Sequence, residues 1–178
     1  MSMLRRIAER LLHRWRRRRA LARLRRHRMP RGVLFVCHGN ICRSPYAAGV
    51  FRARLGRAHN VIRVRSAGFI EPDRASPRFA VEEAAARGVN LRDHRSMTLS
   101  AEELRLTQLV VVMEPAQAYA LRERFSTTGT ILVLADLDPL SEGDRVIIDP
   151  VERSRAVFAA SYDRIDRCVA VLAEAVAG

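Results

Sequence analysis

Val33-Leu34-Phe35-Val36-Cys37-His38-Gly39-Asn40-Ile41-Cys42-Arg43-Ser44-Pro45 decides how the rest of the chain is read. Its apolar start is rich in β-formers, which suits a strand buried on both faces of a parallel sheet. Its end, Ser44-Pro45, is a helix start, because serine is a favoured N-cap and proline lacks only an N–H that the first turn leaves unbonded anyway. Between strand and helix, Gly39 and Asn40 are the residue types that most readily take left-handed backbone conformations, so the loop is able to turn its N–H groups inward. Inward N–H groups, a helix N-terminus and the Arg43 guanidinium make a cradle for a tetrahedral oxyanion. A thiol on the floor of that cradle, Cys37, is a nucleophile aimed at phosphorus. An inert cysteine, a surface arginine and an ordinary Gly-Asn turn would each explain one residue. The cradle explains all of them together.

The remaining composition sets limits. A chain of 178 residues with 48% hydrophobic content is long enough for one domain with a real core. No apolar run approaches the roughly 18 residues needed to cross a bilayer. Three cysteines (Cys37, Cys42 and Cys168) are an odd number and do not read as a secreted disulfide framework, so a reducing cytoplasm is expected. No His/Cys group has zinc-ligand spacing, and neither a metal nor a cofactor is expected.

The net charge of +13 suggests nucleic-acid binding until it is located. Residues 1–31 hold 13 Arg and one Glu, whereas residues 32–178 hold 19 Arg against 18 acidic residues. The charge belongs to a basic N-terminal extension, 1–31, and no specific nucleic-acid partner is expected for the domain at 32–178. In the arm, Leu4, Ile7, Ala8, Leu11, Leu12 and Trp15 fall within about 140° of one another on a helical wheel, an apolar stripe flanked by arginines. After Trp15 the stripe decays, and residues 16–28 are expected to fray. Two readings of the arm stay open. One is a dispensable extension, with Met29 as a plausible start of the chain. The other is a basic amphipathic helix whose residues 1–15 touch an anionic membrane peripherally.

Along the domain, strands are expected at about 33–37, 61–65, 109–113 and 130–134. Helices are expected over 44–57, from Ser76-Pro77 through Arg87, briefly after a capping box at Ser100 and Glu103, from Pro115 to about Phe125, and from about Ser154 to Val176. Alternating strands and helices imply an α/β fold: a single three-layer domain with a four-stranded parallel sheet, the phosphate loop between first strand and first helix, and a basic N-terminal helical arm. The loop then sits at the carboxyl edge, where open α/β sheets place ligands.

A thiol that attacks a phosphate monoester needs a general acid for the departing oxygen. Asp149-Pro150 and Asp138-Pro139 both present a carboxyl from a stiff, extended position before proline. From the residues alone the choice between them stays open, with position before the last helix favouring Asp149.

The segment Val36 to Pro45 resembles the signature Cys-x5-Arg-Ser of the low-molecular-weight protein tyrosine phosphatases. The resemblance spans about residues 32–176. It implies a phosphocysteine mechanism with Cys37 as nucleophile, Arg43 holding the phosphoryl oxygens and Asp149 as general acid and then base. It further implies that His38, Gly39, Asn40, Ile41, Cys42 and Ser44 line the phosphate site, that Ser66 and His94 support the loop, and that Phe69 and Val151 wall the substrate ring. Val151 departs from the aromatic residue usual there, and Ile41 resembles the phosphotyrosine form over the phosphoarginine form. By the same resemblance, Cys42 and Cys37 are able to form a protective disulfide. The expected partner is a phosphotyrosine-containing protein, a bacterial-type tyrosine kinase being one candidate. The alternatives are an arsenate reductase of the same fold, for which further cysteines near the loop are missing, a phosphatase for phosphoarginine or a small phosphate ester, and a non-catalytic adaptor.

Overall fold

A computed structural model describes residues 3–56, 61–125, 129–140 and 144–177, apart from the side chains of residues 4–6. Leu4, a member of the apolar stripe, therefore lies outside the described side chains. The elements are α1 (Met3–Leu24), β1 (Gly32–Cys37), α2 (Arg43–Leu55), β2 (Arg63–Gly68), α3 (Arg78–Ala85), α4 (Ala101–Arg105), β3 (Leu109–Val112), α5 (Pro115–Arg124), β4 (Thr130–Val133) and α6 (Arg155–Ala177). The four strands form one sheet in the order β2-β1-β3-β4, every neighbouring pair parallel. This is the expected α/β architecture. Right-handed crossovers from β1 to β2 and from β3 to β4 run in opposite directions along the sheet, so α2 and α5 lie on opposite faces. α6 packs on α2. The strand order reverses between β1 and β3, and the crevice opens there, at the carboxyl edge.

β1 and β3 are buried throughout, as their unbroken apolar runs require. β2 starts later than expected and continues through Ser66-Ala67-Gly68, with Cys37 opposite Gly68. Those small residues do not stop the strand; they let the loop after β1 lie against it. A Cβ on Gly68 would stand 2.8 Å from the His38 carbonyl oxygen and 2.9 Å from the Asn40 nitrogen. Half of the expected capping box forms: the Glu103 N–H donates to Ser100 Oγ at 3.2 Å, whereas the Glu103 carboxylate pairs with Arg63 instead of reaching back to the cap.

The arm differs from expectation. Residues 16–28 do not fray; α1 continues to Leu24, followed by a 3-10 turn at Arg25–His27. His13, Ala20 and Leu24 are buried against the domain. The His13 ring bonds the Asp138 carbonyl (2.8 Å), the His27 ring bonds Thr130 Oγ1 (2.7 Å), and the Met29 N–H reaches the Val176 carbonyl (2.9 Å). Ala20 and Leu24, with Leu21 partly buried beside them, are a weak sequence signal among arginines, and with the two histidine bonds they carry the docking. β4, paired on one side only, thereby gains a helix along its open edge.

Candidate active site

The loop from Cys37 to Arg43 is shaped by one left-handed residue. Asn40 takes φ +52°, a conformation asparagine tolerates better than most residues. Its N–H turns inward to the Cys37 sulfur at 3.3 Å. Its side chain holds the loop from both ends, Nδ2 donating to Ser44 Oγ at 2.8 Å and Oδ1 accepting from the Met97 N–H at 2.8 Å. The His94 ring bonds the Asn40 carbonyl at 2.7 Å, and its burial lowers its pKa, which favours the neutral ring. Ser66 lines an adjoining cavity with His94.

Ser44 does not cap α2, which begins at Arg43 behind Cys42. Its hydroxyl turns to the Cys37 thiol instead, lying 3.0 Å from Sγ. Arg43 is almost wholly buried, and a buried guanidinium needs partners. Nη1 donates to the Ile147 carbonyl at 3.0 Å and Nη2 pairs with the Asp149 carboxylate, while Nε is buried without a partner among the described residues. That orphaned N–H is the donor a phosphoryl oxygen would satisfy. Cys42 lies beside this charge but, through burial and the proximity of Cys37 and Asp149, its thiol pKa is pushed up. These surroundings disfavour the thiolate form of Cys42.

Asp149 reaches the site from the loop before α6. That loop is pinned from both sides: the Ile147 N–H bonds the Met113 carbonyl at 3.0 Å, and Ser161 Oγ donates to the Ile148 carbonyl at 3.0 Å. Asp138 lies elsewhere. It is fully buried and held by Arg164 Nε at 2.9 Å and Arg167 Nη2 at 3.3 Å.

A cavity of about 380 Å³ opens on Cys37, His38, Gly39, Ile41, Cys42, Arg43 and Asp149, with Val151 on its wall. Phe69 does not line it. That ring packs on the core with the Arg124 guanidinium 5.7 Å from its centre, and Ile70 takes the place at the mouth. Arg74 and Glu152 also line the cavity, and neither was legible as a site residue. Arg74 carries its guanidinium to within 3.3 Å of where a Cβ on Gly39 would lie, giving the loop a second cation. Glu152 sits at φ +60°, a turn conformation that nothing in its sequence announces. Among the described residues, no three His, Cys, Asp or Glu side chains are grouped to hold a metal ion.

A thiol at the floor of an oxyanion cradle, with a buried arginine and a carboxyl group at the mouth, defines the cysteine-dependent phosphomonoesterases. The family model for low molecular weight phosphotyrosine protein phosphatases matches residues 32–178, and the chain belongs to that family. It is 31% identical over 144 residues to a probable low molecular weight protein-tyrosine-phosphatase, EpsP, of Ralstonia nicotianae, covering 79% of this chain and 92% of that one. It is 28% identical over 144 residues to a protein-arginine-phosphatase of Bacillus subtilis, covering 80% and 94%. The crystal structure of the Erwinia amylovora tyrosine phosphatase AmsI superposes with a TM-score of 0.72 at 27% identity, covering 83% of this chain and 94% of that one.

Proposed function

We propose that this phosphatase hydrolyses phosphotyrosine in proteins through a phosphocysteine on Cys37. The Cys37 sulfur attacks phosphorus while the bond to the tyrosyl oxygen breaks, and that oxygen takes a proton from Asp149. Water then attacks the phosphocysteine and gives its proton to Asp149, the S–P bond breaks, the thiolate returns and orthophosphate leaves. Arg43 exchanges its contact with Asp149 for the equatorial phosphoryl oxygens, where transition-state charge spreads. The observation that carries this reading is the Cys37–Ser44–Asn40 network beside a buried guanidinium whose Nε has no partner.

Ile41, Ile70 and Val151 give the cavity apolar walls suited to an aryl ring. Glu152 on the same wall supports a second reading, phosphoarginine, because a carboxylate is the natural partner of a guanidinium. Hydrolysis of p-nitrophenyl phosphate by wild type and not by Cys37→Ser tests the chemistry. Relative kcat/KM on phosphotyrosyl and phosphoarginyl peptides decides between the substrates, and preference for the second would replace the first reading.

In a reducing cytoplasm the buried thiols Cys37, Cys42 and Cys168 stay free, as they are here. No helix among the described residues is long and apolar enough to cross a membrane. The arm is proposed to touch one from its surface: Ile7, Leu11, Leu12 and Trp15 are exposed and flanked by arginines, a combination that favours an anionic bilayer. Co-sedimentation with anionic vesicles, compared with a chain starting at Met29, tests this contact, and equal partitioning of the two would remove it.

A further inference from the structure

Resting on the membrane contact just proposed, we infer that α1 sets the height of the active site above the bilayer, and so selects phosphotyrosines on the membrane-proximal segments of membrane-anchored proteins. α1 has two apolar faces. His13, Ala20 and Leu24 face the domain and are 2%, 4% and 0% exposed, whereas Ile7, Leu11 and Trp15 are 45%, 59% and 53% exposed. At 100° per residue the two sets point roughly 160° apart. Ile7 and Leu11 therefore look away from the body of the domain, while Trp15, at the margin of the stripe, also borders a groove shared with α5 and β4 and lies beneath the Arg19 guanidinium. Exposed Arg10, Arg14, Arg18 and Arg19 flank the stripe. A nucleic acid would satisfy these arginines but offers nothing to Ile7, Leu11 and Trp15, whereas an anionic bilayer accommodates both.

The direction of α1 is fixed by its bonds. His27 meets Thr130 at the start of β4, and His13 meets the Asp138 carbonyl, beyond the end of β4. α1 thus runs antiparallel to β4, and its first turns pass the carboxyl edge that carries the Cys37 loop. From the bilayer inward the layers are α1, β4, β3 and then β1. One helix diameter and the strand spacings place the Cys37 loop roughly 20 Å above the lipid surface, opening along it. The buried Leu24, the two histidine bonds and the Met29 N–H to the Val176 carbonyl hold that arrangement. His13 also fastens α1 to the first residue of the loop that ends in Asp149. A phosphotyrosine about seven extended residues from a membrane anchor reaches that height.

The test uses the full chain and one phosphotyrosyl peptide, free in solution or coupled to lipid through spacers of increasing length. The peptide is presented on phosphatidylcholine vesicles with and without phosphatidylglycerol. The expected result is binding to the anionic vesicles and turnover of tethered peptide at least about tenfold faster than free peptide, rising once the spacer spans roughly 20 Å. The double variant Leu11→Glu, Trp15→Glu should keep the rate on free peptide, which shows that it folds, and lose the enhancement. Vesicle binding without enhancement, or enhancement independent of spacer length, overturns the placement and leaves the membrane contact standing. Absence of vesicle binding, or retention by a duplex oligonucleotide in its place, overturns the contact and this inference with it.

Discussion

Cys37 Sγ and Ser44 Oγ lie 3.0 Å apart, so the residue that looks in sequence like a helix cap is turned onto the Cys37 thiol. The same hydroxyl oxygen accepts a hydrogen bond from Asn40 Nδ2, and its one proton has two acceptors in reach, the Cys37 sulfur and, at 3.4 Å, the Ala67 carbonyl. Replacing Ser44 by Ala removes this contact with the Cys37 sulfur, and kcat should fall about 10- to 100-fold. An unchanged kcat would mean that the contact between Ser44 and Cys37 does not contribute to the chemistry.

The two Asp-Pro pairs should separate cleanly. Asp149→Ala should lower kcat by about 10²–10³-fold on phosphotyrosyl peptide and much less on p-nitrophenyl phosphate, whose leaving group needs little protonation. Asp138→Ala breaks a fully buried pairing with Arg164 and Arg167, and should cost about 3–5 kcal/mol in urea denaturation. Slow chemistry in the Asp138 variant, with normal stability and a normal Asp149 variant, would reverse the roles.

His94 makes the loop's support sensitive to pH. Burial, opposed by the bond to the Asn40 carbonyl, lowers its pKa from the ordinary 6.5. The unfolded chain therefore takes up a proton that the folded chain resists. The stability from this group is fully present above pH 6.5 and is lost as pH falls through the lower folded value. His94→Gln keeps a donor for the carbonyl and has no titration. Its denaturation midpoint should vary less than wild type between neutral and mildly acidic pH, and identical curves would remove His94 from the account.

Sequence order decides which parts were legible. β1, the loop and α2 are consecutive, so Cys37, Asn40, Arg43 and Ser44 could be read together from one stretch. Ser66-Ala67-Gly68 lies beyond the strand expected at 61–65 because its purpose lies in another segment: Gly68 leaves room for the backbone of His38 and Asn40. Ile70, Arg74 and Glu152 come from loops whose positions depend on tertiary packing, and no local pattern marks them. In the arm the obvious stripe of Ile7, Leu11 and Trp15 is exposed, while His13, Ala20 and Leu24, too sparse to stand out among arginines, make the contact with the domain.

That contact predicts a stability role for α1. Leu24→Ala empties a fully buried site and should cost about 2–4 kcal/mol in denaturant melts, with p-nitrophenyl phosphate turnover unchanged under native conditions. A cost below about 0.5 kcal/mol, the range of surface substitutions, would mean that α1 is undocked in solution.

Cys42 shares the cavity with Cys37. Peroxide should convert the Cys37 thiolate to a sulfenic acid, which condenses with the Cys42 thiol to a disulfide and releases water. Activity lost in this way should return with dithiothreitol in wild type and stay lost in Cys42→Ala. Equal recovery in both would exclude the disulfide.

The most direct test of the central claim is acid quenching of Asp149→Ala during turnover of a phosphotyrosyl peptide, followed by mass analysis of the peptide containing Cys37. The expected result is one phosphoryl group on the Cys37 sulfur, absent from Cys37→Ala under the same conditions. Turnover by Cys37→Ala, or a phosphoryl group on any residue other than Cys37, would contradict it.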